Sequence, residues 1–448
     1  MTRGGNCFRR AAALLLALLL AAACALPAFS APALTQEAGL YAADVQPEAE
    51  AYLLVSLDDP AHPVIAQKNK DMREYPASLT KIATAAVVLD HVRDLQQTTV
   101  VSQRALDALA DTGAQTVDLA AGDRVTYEEL LYLTMVYSAC DACLVLSEAV
   151  GGTEEHFVEM MNAWAEGLGC HDTHFVNSHG LHEDDHYSTA ADLARMTLAA
   201  LENDAFLKFA GATSYTFRGK TYEHTNVLLL PDERSEYYPY AQGIKTGTTK
   251  KAGSCLITKG EKDGCSYLAV LLDSSYYHTG SGEAVKGVFE DARELLDWAF
   301  DSLSVRTVAD PGRVAMQVQV IDGKQADTVA LVPAEEVRAL VPNAASPEEI
   351  ELVALGAPAS LEAPVAQGTP VCEGELRYQG KLLAKTTLVA AQAVQLSVAA
   401  RISRLTRAWI GDHPLLTALL LIALAAVVLL AARRRGRRKR TAKRRTGK

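Results

Sequence analysis

The sequence predicts an α+β domain, with helices packed on an antiparallel sheet, followed by a small all-β domain and one C-terminal transmembrane helix. Three observations carry this expectation. Across residues 49–304, strand-like runs open and close a stretch of helical periodicity. Beyond Val308 the pattern changes to short β segments separated by Gly, Pro and Asp turns. Near the end, residues 415–432 hold a single polar side chain, Thr417, in a run just long enough to cross a bilayer.

The first domain begins with two strand-like runs, 51–58 and 64–69, joined by a turn around Asp58, Asp59 and Pro60. Pro76 then marks a helix start, and Leu79, Ile82, Ala83 and Ala86 recur at helical spacing from Ser78 onward. Thr126 and Glu129 form a capping-box pattern for a helix reaching about Tyr137. Further helices are expected at 141–149, ending at Gly151 and Gly152, and at 153–168. Runs 254–259 and 267–273 read as a strand pair, and 283–303 as an amphipathic helix. In the second domain, 305–397, strands are expected at 315–321, 328–332, 351–354, 375–378 and 381–388. Residues 398–413, with Arg401, Arg404 and Arg407, form an amphipathic linker to the span at 414–432.

The two ends are not globular. Arg3, Arg9 and Arg10, an apolar run from Ala11, and Ala28-Phe29-Ser30 read as a signal peptide over 1–30, with a loose leader over 31–48. Residues 433–448 carry eleven Lys or Arg and no acid, which places this tail in the cytoplasm and the domains outside the cell membrane. The formal net charge is −11 despite that tail, so the external part is strongly acidic. That balance argues against a nucleic-acid partner. Six of the eight cysteines lie beyond the signal region, too sparse for a disulfide scaffold, and their pairing is open.

Three constellations carry chemistry. In Ser78-Leu79-Thr80-Lys81, a hydroxyl and an amine three residues apart lie on one helix face, so the amine can activate the hydroxyl as a nucleophile. Alone, that spacing describes a capped helix start, and about one or two matches arise by chance in such a chain. Gly243-Ile244-Lys245-Thr246-Gly247-Thr248 offers a lysine and hydroxyls on a strand edge that can hold a carboxylate, with Gly247 allowing close approach. Ser138-Ala139-Cys140, between two helices, supplies a hydroxyl for proton relay.

In this order the three resemble the Ser-x-x-Lys, Ser-x-Asn and Lys-Thr-Gly motifs of penicillin-recognising serine enzymes. Phe175-Val176-Asn177-Ser178-His179-Gly180-Leu181, then His186-Tyr187-Ser188-Thr189-Ala190, are similar to stretches of low-molecular-weight D-alanyl-D-alanine carboxypeptidases. So are Asn226-Val227-Leu228-Leu229 and Ala292-Arg293-Glu294-Leu295-Leu296. The resemblance implies a serine transpeptidase/β-lactamase-like fold that needs no cofactor or metal. It implies Ser78 as acylated nucleophile, Lys81 as its base, and Ser138 in proton transfer. Lys245 and Thr246 would hold the terminal carboxylate, and the N–H groups of Ser78 and Thr248 would form the oxyanion hole. Peptidoglycan stem peptides would be the substrate and β-lactams the inhibitors. Two departures stand out: Cys140 replaces the motif asparagine, and Val288 and Phe289 stand near where the family often places an arginine, leaving Lys286 as the nearest cation.

Rival readings remain at this level. A β-lactamase or esterase of the same fold, or a weakly active wall-peptide or penicillin-binding protein, would share these motifs. Cys140-Asp141-Ala142-Cys143 could be a redox pair, or half a metal site with Cys170 and His171, although a buried Cys143 beside a site-lining Cys140 is the simpler reading. His179, His182 and His186 fit no zinc spacing and are expected to line a loop wall.

Overall fold

The computed structural model describes residues 34, 41, 45–58, 62–231, 236–278, 284–324 and 326–445. The expected signal peptide lies outside these residues, as do most of the leader and the Asp59-Pro60 turn. The chain divides into two compact units. The first runs to Arg306 and takes back Ala339–Ala345; the second holds Thr307–Arg338 and everything from Ser346.

The first unit is built on a five-stranded antiparallel sheet. Its strands are β1 (Ala51–Ser56), β2 (Val64–Lys68), β3 (Ala241–Thr249), β4 (Gly253–Lys262) and β5 (Cys265–Ser274), in the order β2-β1-β5-β4-β3. Every residue of β1 is buried, which an antiparallel strand shows only when both faces are covered. The side-chain alternation of the pleat divides the apolar residues accordingly. Leu53, Val55, Leu268, Val270 and Leu272 join the large helical core. Leu54, Ala269 and Leu271 are equally buried but point to the other face, where the amphipathic helix α6 (Gly287–Ser302) packs. There Leu296 lies so close to Gly260 that a Cβ on the glycine would come within 2.7 Å of it.

The helical side holds α1 (Lys81–His91), α2 (Tyr127–Val136), α3 (Cys140–Gly151), α4 (Glu154–Gly167) and α5 (Ala190–Leu201). Their starts follow the capping rules. Thr126 and Glu129 form the expected capping box, and Thr153 and Thr189 accept hydrogen bonds from His156 and Asp192 N–H. Ser78 itself does not open an α-helix. It lies in a 3-10 turn, Ala77–Thr80, that feeds α1 at Lys81. Side chains three apart eclipse in such a turn, so Ser78 and Lys81 meet more directly than on an α-helix face.

The helix expected from residue 283 begins instead at Gly287. Residues 284–286 are held extended by antiparallel pairing with 276–278, and Lys286 takes the N-cap position. Asp291, one turn into α6, is buried and accepts from the N–H groups of Glu48 and Ala49 and the hydroxyl of Ser274. It ties the chain entering β1, the end of β5 and the helix together.

The second unit carries a six-stranded sheet of β6 (Met316–Ile321), β7 (Thr328–Pro333), β8 (Ile350–Leu355), β9 (Ser360–Glu362), β10 (Pro370–Tyr378) and β11 (Lys381–Ala390), in the order β8-β10-β11-β7-β6-β9. Pairs are antiparallel except β6 with β9. Two helices follow, α7 (Val398–Asp412) and α8 (Pro414–Arg445). Residues Pro414–Arg433 of α8 are long and apolar enough to cross a membrane.

Candidate active site

The site is assembled around Lys81, which has no solvent exposure. A buried amine must satisfy its donors within the protein. Its Nζ has three partners: Ser78 Oγ at 3.0 Å, the carbonyl oxygen of His179 at 2.5 Å and Cys140 Sγ at 3.5 Å. Three partners match the three hydrogen-bonding positions of an amine nitrogen. Ser78, in contrast, is only half-buried, so its hydroxyl is reachable from solvent.

Each partner arrives on a different element. Cys140 comes from the first residue of α3, after Ser138 has turned the chain through a left-handed conformation at φ +65°. His179 comes from the irregular loop between α4 and α5. That loop is fixed at several points. Asn177 Oδ1 accepts from the N–H groups of His179 and Gly180, and Glu154 accepts from the N–H and hydroxyl of Ser178. Gly180 has φ +82°, and a Cβ there would lie 1.9 Å from the carbonyl oxygen of Ala77. Only glycine lets the loop rest on the turn that carries Ser78.

The strand β3 closes the opposite side. A Cβ on Gly247 would meet the Pro76 oxygen at 2.8 Å and Ser78 N at 3.1 Å, so this glycine permits a backbone-to-backbone approach. Lys245 is fully buried, and its Nζ donates to the carbonyl oxygen of Thr246 at 3.1 Å and toward Thr225 Oγ1 at 3.5 Å. Thr246 Oγ1 donates to the same Thr225 hydroxyl at 2.6 Å. Thr248 is exposed at the rim, where its Oγ1 accepts from Lys286 Nζ at 2.9 Å. Burial, and then the nearby Lys81 amine, push Lys245 well below the ordinary lysine range. Lys286 acts on Lys245 in the same direction as Lys81.

The structure thus brings Ser78, Lys81 and Cys140 into direct contact, with Ser138 at the same helix junction and Lys245, Thr246, Gly247 and Thr248 on the facing strand. Thr225 is the residue that sequence reasoning passed over. It stands beside Asn226, whose Nδ2 donates to Gly243 O at 2.7 Å and so fixes the start of β3. A threonine in a loop has no spacing signal of its own.

The histidine cluster forms a wall beside the site. His186 Nδ1 accepts from the N–H of Val176, and Nε2 therefore carries the proton and bonds Thr80 Oγ1 at 2.7 Å. His182 stacks edge-on against Tyr75. His179 lies 3.7 Å from Glu154, but burial and the Lys81 amine push its imidazole down to about 3, so it is neutral and forms no ion pair. Among the described residues, no group of three or more His, Cys, Asp or Glu side chains could hold a metal ion. The six described cysteines are free thiols.

The chain is similar to known proteins over most of its length. Residues 40–275 match the S11 peptidase family, D-alanyl-D-alanine carboxypeptidase. The chain belongs to the D-alanyl-D-alanine carboxypeptidase family. Residues 304–396 match the C-terminal domain of penicillin-binding protein 5. D-alanyl-D-alanine carboxypeptidase DacF of Bacillus subtilis is 28% identical over 66% of this chain and 74% of its own length. DacD of Escherichia coli is 31% identical over 60% of this chain and 67% of its own. Among solved structures, penicillin binding protein 6B from Escherichia coli superposes with a TM-score of 0.60 at 25% identity, covering 80% of this chain and 99% of that one. The Streptomyces K15 DD-transpeptidase gives 0.52 at 26% identity, covering 58% of this chain and all of that one. These likenesses favour the carboxypeptidase over a β-lactamase or an inactive binding protein.

The buried imidazoles make the fold sensitive to acid. His179, His186 and His224 are each pushed down to about 3, chiefly by burial, and stay neutral in the native state. In the unfolded chain they take up protons near pH 6.5, roughly the free imidazole value. Between those limits the unfolded state binds more protons, so stability falls as pH drops below about 6.5. The carboxyls of Asp141, Glu154 and Asp192, raised by burial, act with the opposite sign nearer the carboxylate range. Thermal unfolding followed from pH 7 to pH 5 should show this loss. His186→Gln, which keeps a polar partner for Thr80, should flatten the slope by up to about 1.4 kcal/mol per pH unit. A slope unchanged from the parent would show that His186 does not titrate on unfolding.

Proposed function

We propose that Ser78 is the nucleophile with which this serine hydrolase releases the terminal D-alanine of peptidoglycan pentapeptides. The observation that carries the assignment is the 3.0 Å contact of Lys81 Nζ with Ser78 Oγ, made by an amine that two further partners hold in place. Lys81 takes the hydroxyl proton as Ser78 Oγ attacks the carbonyl carbon between the two D-alanines. The N–H groups of Ser78 and Thr248 receive the developing oxyanion. Ser138 relays the proton taken by Lys81 to the leaving amine, D-alanine departs, and water hydrolyses the ester on Ser78. A β-lactam acylates the same oxygen by opening its ring.

Lys245, Thr246 and Lys286 hold the substrate's terminal carboxylate. A buried amine pushed toward its neutral form by another amine regains its proton when an anion arrives. Lys286 stands where the motif arginine is missing and approaches Thr248 from the solvent side. In this reading residues 414–433 anchor the enzyme, with both folded units outside the cell membrane and the basic tail in the cytoplasm.

The test is D-alanine release from a pentapeptide ending in D-Ala-D-Ala, with the full chain in detergent. Ser78→Ala should abolish both release and covalent labelling by penicillin; release that persists would remove Ser78 from the mechanism. Lys286→Gln should raise KM about tenfold with kcat little changed, as for one charge-assisted hydrogen bond. An unaltered KM would take Lys286 out of the carboxylate site. A thiol is a weak acceptor for Lys81 and a weak donor for the peptide carbonyl, whereas an amide serves both. Cys140→Asn should therefore raise kcat/KM about fivefold, the worth of one added hydrogen bond. No gain would mean that the substrate is positioned without help from residue 140.

A further inference from the structure

We infer that Gln115 and Asp141 are positioning residues for catalysis: together they clamp the backbone on both sides of Ser138 and so set where its hydroxyl points. The inference rests on the proposed role of Ser138 in proton transfer.

Ser138 occupies a place that the backbone would leave to glycine. Helix α2 ends at Val136, Tyr137 caps it, and Ser138 follows in the left-handed region at φ +65°. A residue that closes a helix in this conformation is most often glycine, because a Cβ there is strained. A serine keeps such a conformation only where the surrounding structure imposes it. Its own side chain adds nothing to that hold. Among the described residues, none hydrogen-bonds the Ser138 hydroxyl, although the residue is buried. The hydroxyl is therefore free to serve a substrate, and the backbone alone decides its position.

That backbone is gripped by one irregular segment, residues 113–120. Gln115 holds the junction at two points. Its side-chain amide donates to the carbonyl of Tyr137, just before Ser138, and its own carbonyl accepts from Cys140 N–H at 2.8 Å, two residues after it. Asp141 returns the grip. Its side chain is buried, and its carboxylate accepts from the N–H groups of Val117 at 3.1 Å and Leu119 at 3.2 Å. Val117 and Leu119 are themselves rooted in the helical core, so the segment cannot drift with the junction. The same carboxylate accepts from Ala142 N–H at 3.0 Å, in the first turn of α3, where free N–H groups favour a negative charge. Helix α2 adds one further tie, from Ala139 N–H to the Leu133 carbonyl at 3.1 Å. Ser138 is thus the one residue of the junction held entirely through its neighbours.

The test is a mutant cycle on D-alanine release by the full chain in detergent. Gln115 is exposed, so Gln115→Met removes the bond to Tyr137 at little risk to folding. It should lower kcat about fivefold, the worth of one hydrogen bond, with KM little changed. Asp141→Asn sets an amide nitrogen where a carboxylate oxygen accepted, and should lower kcat about tenfold or more. Ser138→Ala alone should lower kcat about a hundredfold or more, the usual size of a proton-transfer contribution. In the Ser138→Ala background neither substitution should lower kcat further, because the group that they position is gone. If Asp141→Asn unfolds, the cycle with Gln115→Met decides alone. Equal losses with and without Ser138 would mean that the segment supports the site as a whole, and would overturn the inference. So would an unchanged kcat for the variants that retain Ser138. Release undiminished by Ser138→Ala but lost in Ser78→Ala would overturn the relay and the inference with it, and would leave the proposed nucleophile standing.

Discussion

The site depends on one constraint, the complete burial of the Lys81 amine. An amine cannot be taken from water without hydrogen-bond partners, and the cost of leaving them unmade is several kcal/mol. Three elements far apart in sequence supply those partners: the 3-10 turn with Ser78, the start of α3 with Cys140, and the loop carbonyl of His179. The demand propagates outward. The His179 carbonyl is useful only if its loop is rigid, which requires Asn177, Glu154 and a glycine at 180 that can lie against Ala77. The arrangement that solves a burial problem also sets the amine on the hydroxyl it is proposed to activate.

Charge is distributed against the average of the chain. The formal net charge is −11, yet Lys245 is acted on by two further lysines, Lys81 and Lys286. Beyond about 10 Å, salt screens the acidic exterior from an incoming carboxylate, so local cations decide recognition. Two of the three are fully buried, where an ionic contact with substrate is screened least. In the proposed mechanism Lys245, held short of its charge by burial, gains a proton when an anion enters, which would tie recognition to the free carboxylate at the end of a peptide chain.

What could be read from the sequence was what local chemistry encodes. The capping box at Thr126 and Glu129, the helix stop at Gly151 and Gly152, and the strand pair of β4 and β5 all have short-range signals, and each is present. The motifs gave Ser78, Lys81, Cys140 and Lys245 because their order along the chain resembles that of a family. The remainder depended on tertiary partners. Residues 284–286 have helical composition but are paired with 276–278, and no local pattern announces a partner strand. Strands at 337–342 and 360–362 and the hairpin of 214–217 with 220–223 were passed over for the same reason. Thr225 and the His179 carbonyl carry no motif, since a backbone oxygen has no sequence identity at all.

The Cys-x-x-Cys at 140–143 shows how the same spacing serves different ends. A redox pair at a helix start needs a low-pKa thiol at the first position and a reachable second one. Here the second thiol is withdrawn from chemistry. Burial pushes Cys143 up to about 12, and its Sγ donates to the Ala139 carbonyl at 3.2 Å, on the helix side away from solvent. The first cysteine is held instead by Lys81, within a pocket whose other partners are a hydroxyl and a carbonyl. One helix turn therefore separates a core thiol from a site thiol. Position 140 sits in the pocket because α3 must start there to cover the lysine, so whichever side chain occupies it inherits a contact with the proposed base. In the proposed mechanism its chemistry sets catalytic rate.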